Sequence, residues 1–555
     1  MVDFLYAWGH HAGRKILSIL NLNLRFISTL CTVLFCLLLT ATGIAEDKRP
    51  NILTILVDDM GYSDLGCYGS EIQTPNLDKL AASGIRYTQM YNTSKCWTTR
   101  ISLMTGLYHQ RSDRDFQNTA LAGEVLRPSG YHTWWSGKHH AEFNPFERGF
   151  DHFSGFLGGA INFWNPGDKA RPGEPEPGWK AAYRWAFDDR TVQPFIPKEG
   201  FYATDAFTDW TFDWLDQAKS GESGIDAPFF LYLAFNAPHW PLHAHPEDIA
   251  KYEDVYNDGY EAIREARYQR QIKMGLFNPD TTPLSEPEAD LSFWEALSAD
   301  EKHSESKRME IHAAMVDRID QNVGRLIEKL KALGELDNTL ILFLVDNGAS
   351  AESPNRKGAP PQPWGSVGTF ESIGQNWANA TNTPLRFWKV TSHEGGINTP
   401  MIAHWPRGIS KEMEGKFYRE PCHLIDLLPT WMELAGDSAQ MPGESKESAI
   451  PEFDGISITP SFAGKPLSRT APLFFAYGSG KAIRDGDWKL VRRSNSPWEL
   501  HNLKEGRSEG NDLASRHPEK VQIMEQAWLD WYLDCTGQAW TEPLKKTKSE
   551  KTKKN

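Results

Sequence analysis

Four short apolar runs, at 52–57, 131–135, 229–235 and 340–345, are rich in β-branched and aromatic side chains and stop abruptly at polar residues. They are continuous rather than alternating, which predicts strands of a sheet covered on both faces. Helical signals lie between them. Thr74-Pro75 opens a stretch closed by Gly84, with a capping hydroxyl, proline in the first turn and glycine past the end. Met315, Ile319, Val323, Leu326, Ile327 and Leu330 recur at helical spacing and Gly334 follows as a stop, predicting a helix over 315–330 just before the run at 340–345. The alternation of helix and strand is that of an α/β fold.

From about Asp426 the pattern changes. It predicts a helix over 427–435, a Pro/Gly/Ser linker through Gly455, short strands at 473–476, 482–484 and 489–491, and a last helix over 518–532. This reads as a smaller C-terminal α+β domain. Residues 159–200 and 349–380 are rich in Gly, Pro, Trp and Asn without periodicity and read as long surface loops of the kind that shape an active-site mouth. No internal repeat of fixed period is visible.

A chain of 555 residues is long enough for a large core plus one smaller domain. The expected divisions are a leader at 1–45, a catalytic domain at 46–435, a small domain at 436–540 and a disordered, lysine-rich tail at 541–555. In the leader, Arg14, Lys15 and Arg25 precede an apolar run over 26–39, and Gly43-Ile44-Ala45 offers a cleavage site. This is the pattern of a signal peptide for a secreted or periplasmic protein, with an uncleaved anchor as the other reading. No later segment is apolar enough to span a membrane. Cys31 and Cys36 would leave with the leader, and the remaining Cys67, Cys96, Cys422 and Cys535 are too few for a disulfide framework in so large a domain. A net charge of −14 argues against a nucleic-acid partner, so any anionic substrate must be met by locally placed cations.

Those cations fall at the strand ends. The first predicted strand ends in Asp58-Asp59 and the last in Asp346-Asn347, while the other two lead into Lys138-His139-His140 and Ala237-Pro238-His239. In open α/β sheets ligands bind beyond the carboxyl ends of the strands. Three carboxylates and an amide oxygen suit a hard cation such as Ca²⁺ or Mg²⁺. Either acidic pair alone would read as a turn or cap signal, and a lone histidine as structural; it is the four loaded ends together that suggest a site. Cys96 lies in a polar segment running into Arg100-Ile101-Ser102-Leu103-Met104-Thr105-Gly106, the start of a short helix whose positive end would favour negative charge at the thiol.

With these residues in view, the chain resembles the formylglycine-dependent sulfatases, close in pattern to bacterial arylsulfatases, within the alkaline phosphatase superfamily. The matching stretches run in the family's order. They are Asn51-Ile52-Leu53 through Asp58-Asp59-Met60-Gly61-Tyr62, Thr74-Pro75-Asn76-Leu77-Asp78, Cys96 to Gly106, Gly137-Lys138 with His140, and Ala237-Pro238-His239. Beyond them come Asp346-Asn347-Gly348, Lys389 before Glu394-Gly395-Gly396-Ile397, and Arg484-Asp485-Gly486-Asp487-Trp488-Lys489-Leu490.

The resemblance implies a large central mixed β-sheet flanked by helices and a small C-terminal domain with an antiparallel sheet. It also implies hydrolysis of sulfate monoesters, aryl or carbohydrate, including sulfated glycans. Asp58, Asp59, Asp346 and Asn347 would bind Ca²⁺, with Mg²⁺ as the other choice. Cys96 would be oxidised by a separate maturation enzyme to formylglycine, whose hydrate presents two hydroxyls, one to attack sulfur and one to release the product. By the same resemblance His239 would protonate the leaving oxygen, His140 would relay a proton for sulfate release, Lys138 and Lys389 would hold sulfate oxygens, and Arg100 would orient the formylglycine. Thr98 stands where the family's signature has Pro or Ala, His139 where it commonly has Trp, and 475–478 lacks the family's Glu-His pair. The Thr98 difference keeps two other readings open: a phosphoesterase or phosphonate-type hydrolase of the same superfamily, and a catalytically silent glycan-binding protein.

Overall fold

The chain's structure is a computed structural model that describes residues 49–112, 116, 119–180, 183–220, 227–288, 290–354, 363–436, 452–494 and 496–541. The expected leader, the 436 boundary with its linker, and the basic tail fall outside or at the edge of the described residues.

The four apolar runs are strands, each within a few residues of the predicted bounds. In chain order the large sheet holds β1 (Asn51–Asp58), β2 (Ile85–Tyr91), β3 (His132–Lys138), β4 (His152–Phe156), β5 (Trp185–Phe187), β6 (Arg190–Val192), β7 (Phe229–Pro238), β8 (Thr339–Val345), β9 (Asn398–His404), β10 (Lys416–Tyr418) and β11 (Cys422–His423). Their spatial order is β10-β2-β9-β8-β1-β7-β3-β4-β5-β6, with β11 also paired to β2. The sheet is mixed: β8, β1, β7, β3 and β4 are parallel neighbours, whereas β9 runs antiparallel to both β8 and β2.

The unbroken hydrophobicity of the central strands has a direct cause. Leu53, Ile55 and Val57 pack into the core on one face, and Ile52 and Leu56 into the core on the other. Leu231, Leu233 and Phe235 oppose Phe230, Tyr232 and Ala234 in the same way on β7. With both faces dry, each such side chain contributes about 1.5–3 kcal/mol of burial and none can be polar without a partner.

The helix predicted from Met315 extends much further back, over Ala299–Ala332, opened by a capping box in which Ser298 and Glu301 exchange hydrogen bonds. The two expected loops are only partly irregular. The first carries the short β5–β6 hairpin that extends the sheet edge, and the second ends in a helix over Gly374–Thr381.

The C-terminal sheet is an antiparallel meander of β12 (Leu473–Tyr477), β13 (Gly480–Asp485), β14 (Trp488–Arg492) and β15 (Glu499–Asn502), the last of which the sequence pattern did not predict. The Pro518–Thr536 helix covers it through Trp528 and Trp531; Trp528 Nε1 donates to the Phe475 carbonyl at 3.0 Å. This sheet also shares a small core with the large one, where Leu473, Phe475, Ala482 and Val491 pack on Tyr91 and Ile397. From Arg49 onward the chain clusters as one compact unit. Cys67, Cys96, Cys422 and Cys535 are all free thiols.

Candidate active site

Because β8, β1, β7 and β3 are mutually parallel, their carboxyl ends open on one edge of the sheet. That topology brings Asp346-Asn347, Asp58-Asp59, His239 and Lys138 together. β2 shares their direction through antiparallel β9, so Tyr91 leads to the Cys96 helix at the same edge. The reversed β9 contributes its amino end instead, preceded by Lys389 and the Glu394–Ile397 turn. Two glycines permit the closest backbone approach: a Cβ on Gly348 would lie 1.8 Å from the Gly395 carbonyl oxygen, and Gly395 is likewise hemmed in by the Phe387 carbonyl.

The charged residues form a buried, interlocked set. Lys138 Nζ pairs with Asp58 Oδ2, Lys389 Nζ lies 2.8 Å from Asp59, and Arg100 Nη2 lies 3.0 Å from Asp346 Oδ2. Asn347 Nδ2 donates to Asp59 Oδ1 at 2.6 Å, and His239 Nε2 lies 3.4 Å from Asp59 Oδ2. Arg100 Nη1 donates to the Lys138 carbonyl at 3.1 Å, and the Asp59 amide to Asp346 Oδ1 at 3.3 Å. Three carboxylates thus meet three fixed cations, all essentially inaccessible to solvent.

The titration of these groups follows their surroundings. Burial, with Asp346 beside it, pushes the Asp58 carboxyl up to about 6. For Asp59 burial acts in the same sense, but Lys389 and His239 outweigh it and hold that carboxyl well below the usual range. Burial lowers His239 against the pull of Asp59 and Asp58, and raises the Cys96 thiol against Lys138 and Lys389.

Cys96 is the first residue of its helix, which spans Cys96–Thr105 and so starts a turn earlier than the sequence suggested. Its thiol, 1% exposed, comes within 4.8 Å of carboxylate oxygens of both Asp58 and Asp346. Thr98 is buried and fastens the turn: its hydroxyl donates to the Lys95 carbonyl at 2.8 Å and meets the Thr93 hydroxyl at 2.5 Å. Thr99 Oγ1 reaches the Asp346 carbonyl at 2.7 Å, tying the helix to β8.

The donor chemistry fits a hard cation. Asp58 Oδ1 and Asn347 Oδ1 are buried oxygens without a hydrogen-bond partner, next to the Asp59 and Asp346 carboxylates. A carboxyl raised to about 6 by burial and a neighbouring acid is one that a cation would return to its ionised form. Asp58, Asp59, Asp346 and Asn347 offer oxygens, as Ca²⁺ or Mg²⁺ require, with the Cys96 thiol and the His239 ring in the same clusters.

Nine of the ten residues singled out in the sequence are joined through these contacts. His140 lies just beyond them, at a left-handed φ of 70°, with its ring against Gly159. His139 turns away into a purely packing role, edge-on to Trp135 at 4.7 Å and Phe143 at 4.4 Å, and burial drops it to about 3, leaving it neutral.

The sequence reading missed an outer ring. Glu352 accepts from Lys95 Nζ at 3.0 Å and from Trp240 Nε1 at 2.9 Å, and lies 3.6 Å from Lys389. The Trp240 carbonyl receives His239 Nδ1 at 2.7 Å. Trp179 and Phe370, one from each aperiodic segment, pack on Trp240 with centroids 5.3 and 5.7 Å away. Trp240 carried one available signal, its place next to a candidate histidine; Glu352 carried none.

A doubly covered mixed sheet with a buried cluster of carboxylates, lysines, an arginine and a thiol at its strand ends is the architecture of the alkaline phosphatase superfamily. The Sulfatase family model matches residues 50–437. An uncharacterized sulfatase of Schizosaccharomyces pombe is 31% identical over 87% of this chain and 94% of its own, and the arylsulfatase of Klebsiella aerogenes is 32% identical over 77% and 95%. The crystal structure of Ps i-CgsB in complex with k-i-k-neocarrahexaose superposes with a TM-score of 0.62 at 26% identity, covering 91% of this chain and 96% of that one. The chain belongs to the sulfatase family and is a sulfuric ester hydrolase.

Proposed function

We propose that the protein cleaves sulfate monoesters of ring-bearing alcohols, carbohydrate or aryl, using a formylglycine made from Cys96 by a separate maturation enzyme and a Ca²⁺ ion held by Asp58, Asp59, Asp346 and Asn347. The observation that carries this reading is the meeting of the Cys96 thiol with the Asp58 and Asp346 carboxylates within 4.8 Å, flanked by two buried lysines. When present, the hydrated aldehyde supplies two hydroxyls on one carbon and the dication attracts sulfate oxygens.

The chain's own residues do the rest. Lys138 and Lys389 hold sulfate oxygens and offset the charge of the bound ester in a site closed to water. Arg100, fixed between Asp346 and the Lys138 carbonyl, orients residue 96. His239 commits its Nδ1 hydrogen to the Trp240 carbonyl, so Nε2 is the atom that delivers a proton to the leaving oxygen. His140 relays a proton as sulfate departs. Trp240, Trp179 and Phe370 are half-buried beside His239 and present flat faces to the leaving group, which suits a sugar or aromatic ring. The likeness to Ps i-CgsB, crystallised with k-i-k-neocarrahexaose, supports the sulfated-glycan choice.

The predicted leader supports a secreted or periplasmic location. Among the described residues no helix is long and apolar enough to cross a membrane.

The deciding experiment is mass spectrometry of the Cys96 peptide after coexpression with a formylglycine-generating enzyme, paired with sulfate release from a panel of sulfate esters. Thiol-to-aldehyde conversion with release is expected. An unmodified thiol with no release would overturn the reading, and hydrolysis of the matching phosphate or phosphonate monoesters, tested in parallel, would instead favour the other hydrolases of the superfamily.

A further inference from the structure

Four lysine and arginine side chains stand close to Cys96, and each is tied to a carboxylate. Lys138–Asp58, Lys389–Asp59 and Arg100–Asp346 are closed to solvent, with side-chain exposures between 0% and 2%. The fourth pair, Lys95–Glu352, is open. The lysine side chain is 17% exposed and the glutamate side chain 36%, so the charge turned outward at this end of the site is the negative one.

Glu352 is held from three directions. Oε1 accepts from Lys95 Nζ at 3.0 Å, Oε2 accepts from Trp240 Nε1 at 2.9 Å, and Oε2 lies 3.6 Å from Lys389 Nζ. Burial acts to raise this carboxyl, but Lys389 and Lys95 outweigh it and hold it at about 2, so it is ionised at neutral pH. On the proposed function Lys389 also holds a sulfate oxygen, which puts the Glu352 carboxylate within roughly 6 Å of that oxygen, one ordinary hydrogen-bond length beyond the lysine.

Next to a bound sulfate there is therefore a carboxylate, fixed beside the packed rings of Trp240 and Phe370. A neutral ring suits both features: its hydroxyl hydrogens are donated to Glu352 and its apolar face lies on the aromatic side chains. A second anionic group in that place would meet Glu352 at close range. Lys95 could receive it only by giving up its partner and leaving that carboxylate uncompensated. Selection of this kind works by repelling the wrong ligand as much as by holding the right one.

We propose that Glu352 is a specificity-determining residue that restricts the enzyme to sulfate esters of neutral rings, turning away units that carry a carboxylate or a second sulfate beside the sulfated position. The proposal rests on the sulfatase reading of the site and narrows its substrate class.

The test is kinetic, on the full-length matured enzyme, with two pairs of esters that differ by one carboxylate: 4-nitrophenyl sulfate with its 3-carboxy analogue, and D-glucose 3-sulfate with D-glucuronate 3-sulfate. The quantity read is the ratio of kcat/KM within a pair, compared between parent and variant, so that the intrinsic reactivity of each ester cancels. Glu352→Gln should shift the ratio about tenfold toward the carboxylated ester, the effect of one unit charge roughly 6 Å away in a half-exposed setting. Glu352→Asp, which keeps the charge, should stay near the parent. Lys95→Met, which leaves Glu352 uncompensated, should shift the ratio the other way. A ratio unmoved in Glu352→Gln, or moved as far in Glu352→Asp, would overturn the proposal, as would a parent that prefers the carboxylated member of a pair. Should Glu352→Gln fail to fold, an unmoved ratio in Lys95→Met overturns it instead. No sulfate release from these esters or from the wider panel would remove the proposed function, and this proposal with it, whereas release with an unmoved ratio removes this proposal alone.

Discussion

Replacing Lys489 by methionine should destabilise the protein in a pH-dependent way whose sign the structure fixes. Lys489 Nζ on β14 lies 2.8 Å from both Glu394 and Glu509, and all three side chains are fully buried. Glu394 also receives Tyr91 OH at 3.0 Å and Asn398 Nδ2 at 3.0 Å, and its own amide donates to Glu509 Oε2 at 2.8 Å. Burial alone would raise the Glu394 carboxyl, but Lys489 and then Arg507 and Arg484 hold it down at about 2 against an ordinary 4.5. A carboxyl lowered by that much contributes on the order of 3 kcal/mol at neutral pH. Breaking a buried pair by removing one partner costs about 3–5 kcal/mol, so two routes give the same size of effect. In the parent this stability is complete above pH 4.5 and is lost only as pH falls through about 2. In Lys489→Met two buried carboxylates face each other without their cation, and each favours protonation. The variant's deficit in thermal midpoint should therefore be larger near pH 8 than near pH 5, where a proton can replace the lost charge. Thermal unfolding followed by circular dichroism at the two pH values measures it, and Lys489→Met combined with Glu509→Gln should recover part of the loss. An equal deficit at both values, or a larger one near pH 5, would refute the reasoning.

Two further outcomes test the site. Asp346→Ala should abolish the midpoint increase that Ca²⁺ gives the parent, about 2.7 kcal/mol of stabilisation at a hundredfold excess over the dissociation constant, and should leave no sulfate release; calcium titration by differential scanning fluorimetry, with and without EDTA, reads the first directly. Trp179→Ala should raise KM for ring-bearing sulfate esters about three- to tenfold with little change in kcat, since it removes a stacking face and no charged group; steady-state kinetics showing a fall in kcat at constant KM would contradict that role.

The strands at the centre of the sheet were legible because burial on both faces leaves no room for polar residues, so β1, β7 and β8 appear as plain apolar runs. The front half of the Ala299–Ala332 helix was hidden for the opposite reason. Before Met309 no apolar side chain is buried on it, and Ser306, Arg308, Glu310 and His312 share its inner face with Met309 and Ile311, satisfied by partners such as Glu371 and Asp64, so polar letters break up the periodicity. The Ser298-x-x-Glu301 capping box was the signal that could have found its start. β15, reading Glu-Leu-His-Asn, is too short and too polar to register. At the site, residues placed by strand ends could be read, because topology alone brings them together. Glu352 and Trp179 come from aperiodic segments whose path is set by tertiary packing, and nothing local marks them.

The burial of Cys96 has a consequence for the order of events in the protein's life. Cys96 is 1% exposed, beside Lys389, whose segment is clamped to the C-terminal sheet through Glu394 and Lys489. On the proposed function, the maturation enzyme could not reach it once that clamp has closed. Given the proposed maturation of Cys96, β14 and β15 are synthesised well after residue 96, so the window for modifying it stays open until the second sheet folds into place. On the same proposal, anything that hastens closure of the second sheet would lower the yield of active enzyme while leaving the finished fold unchanged.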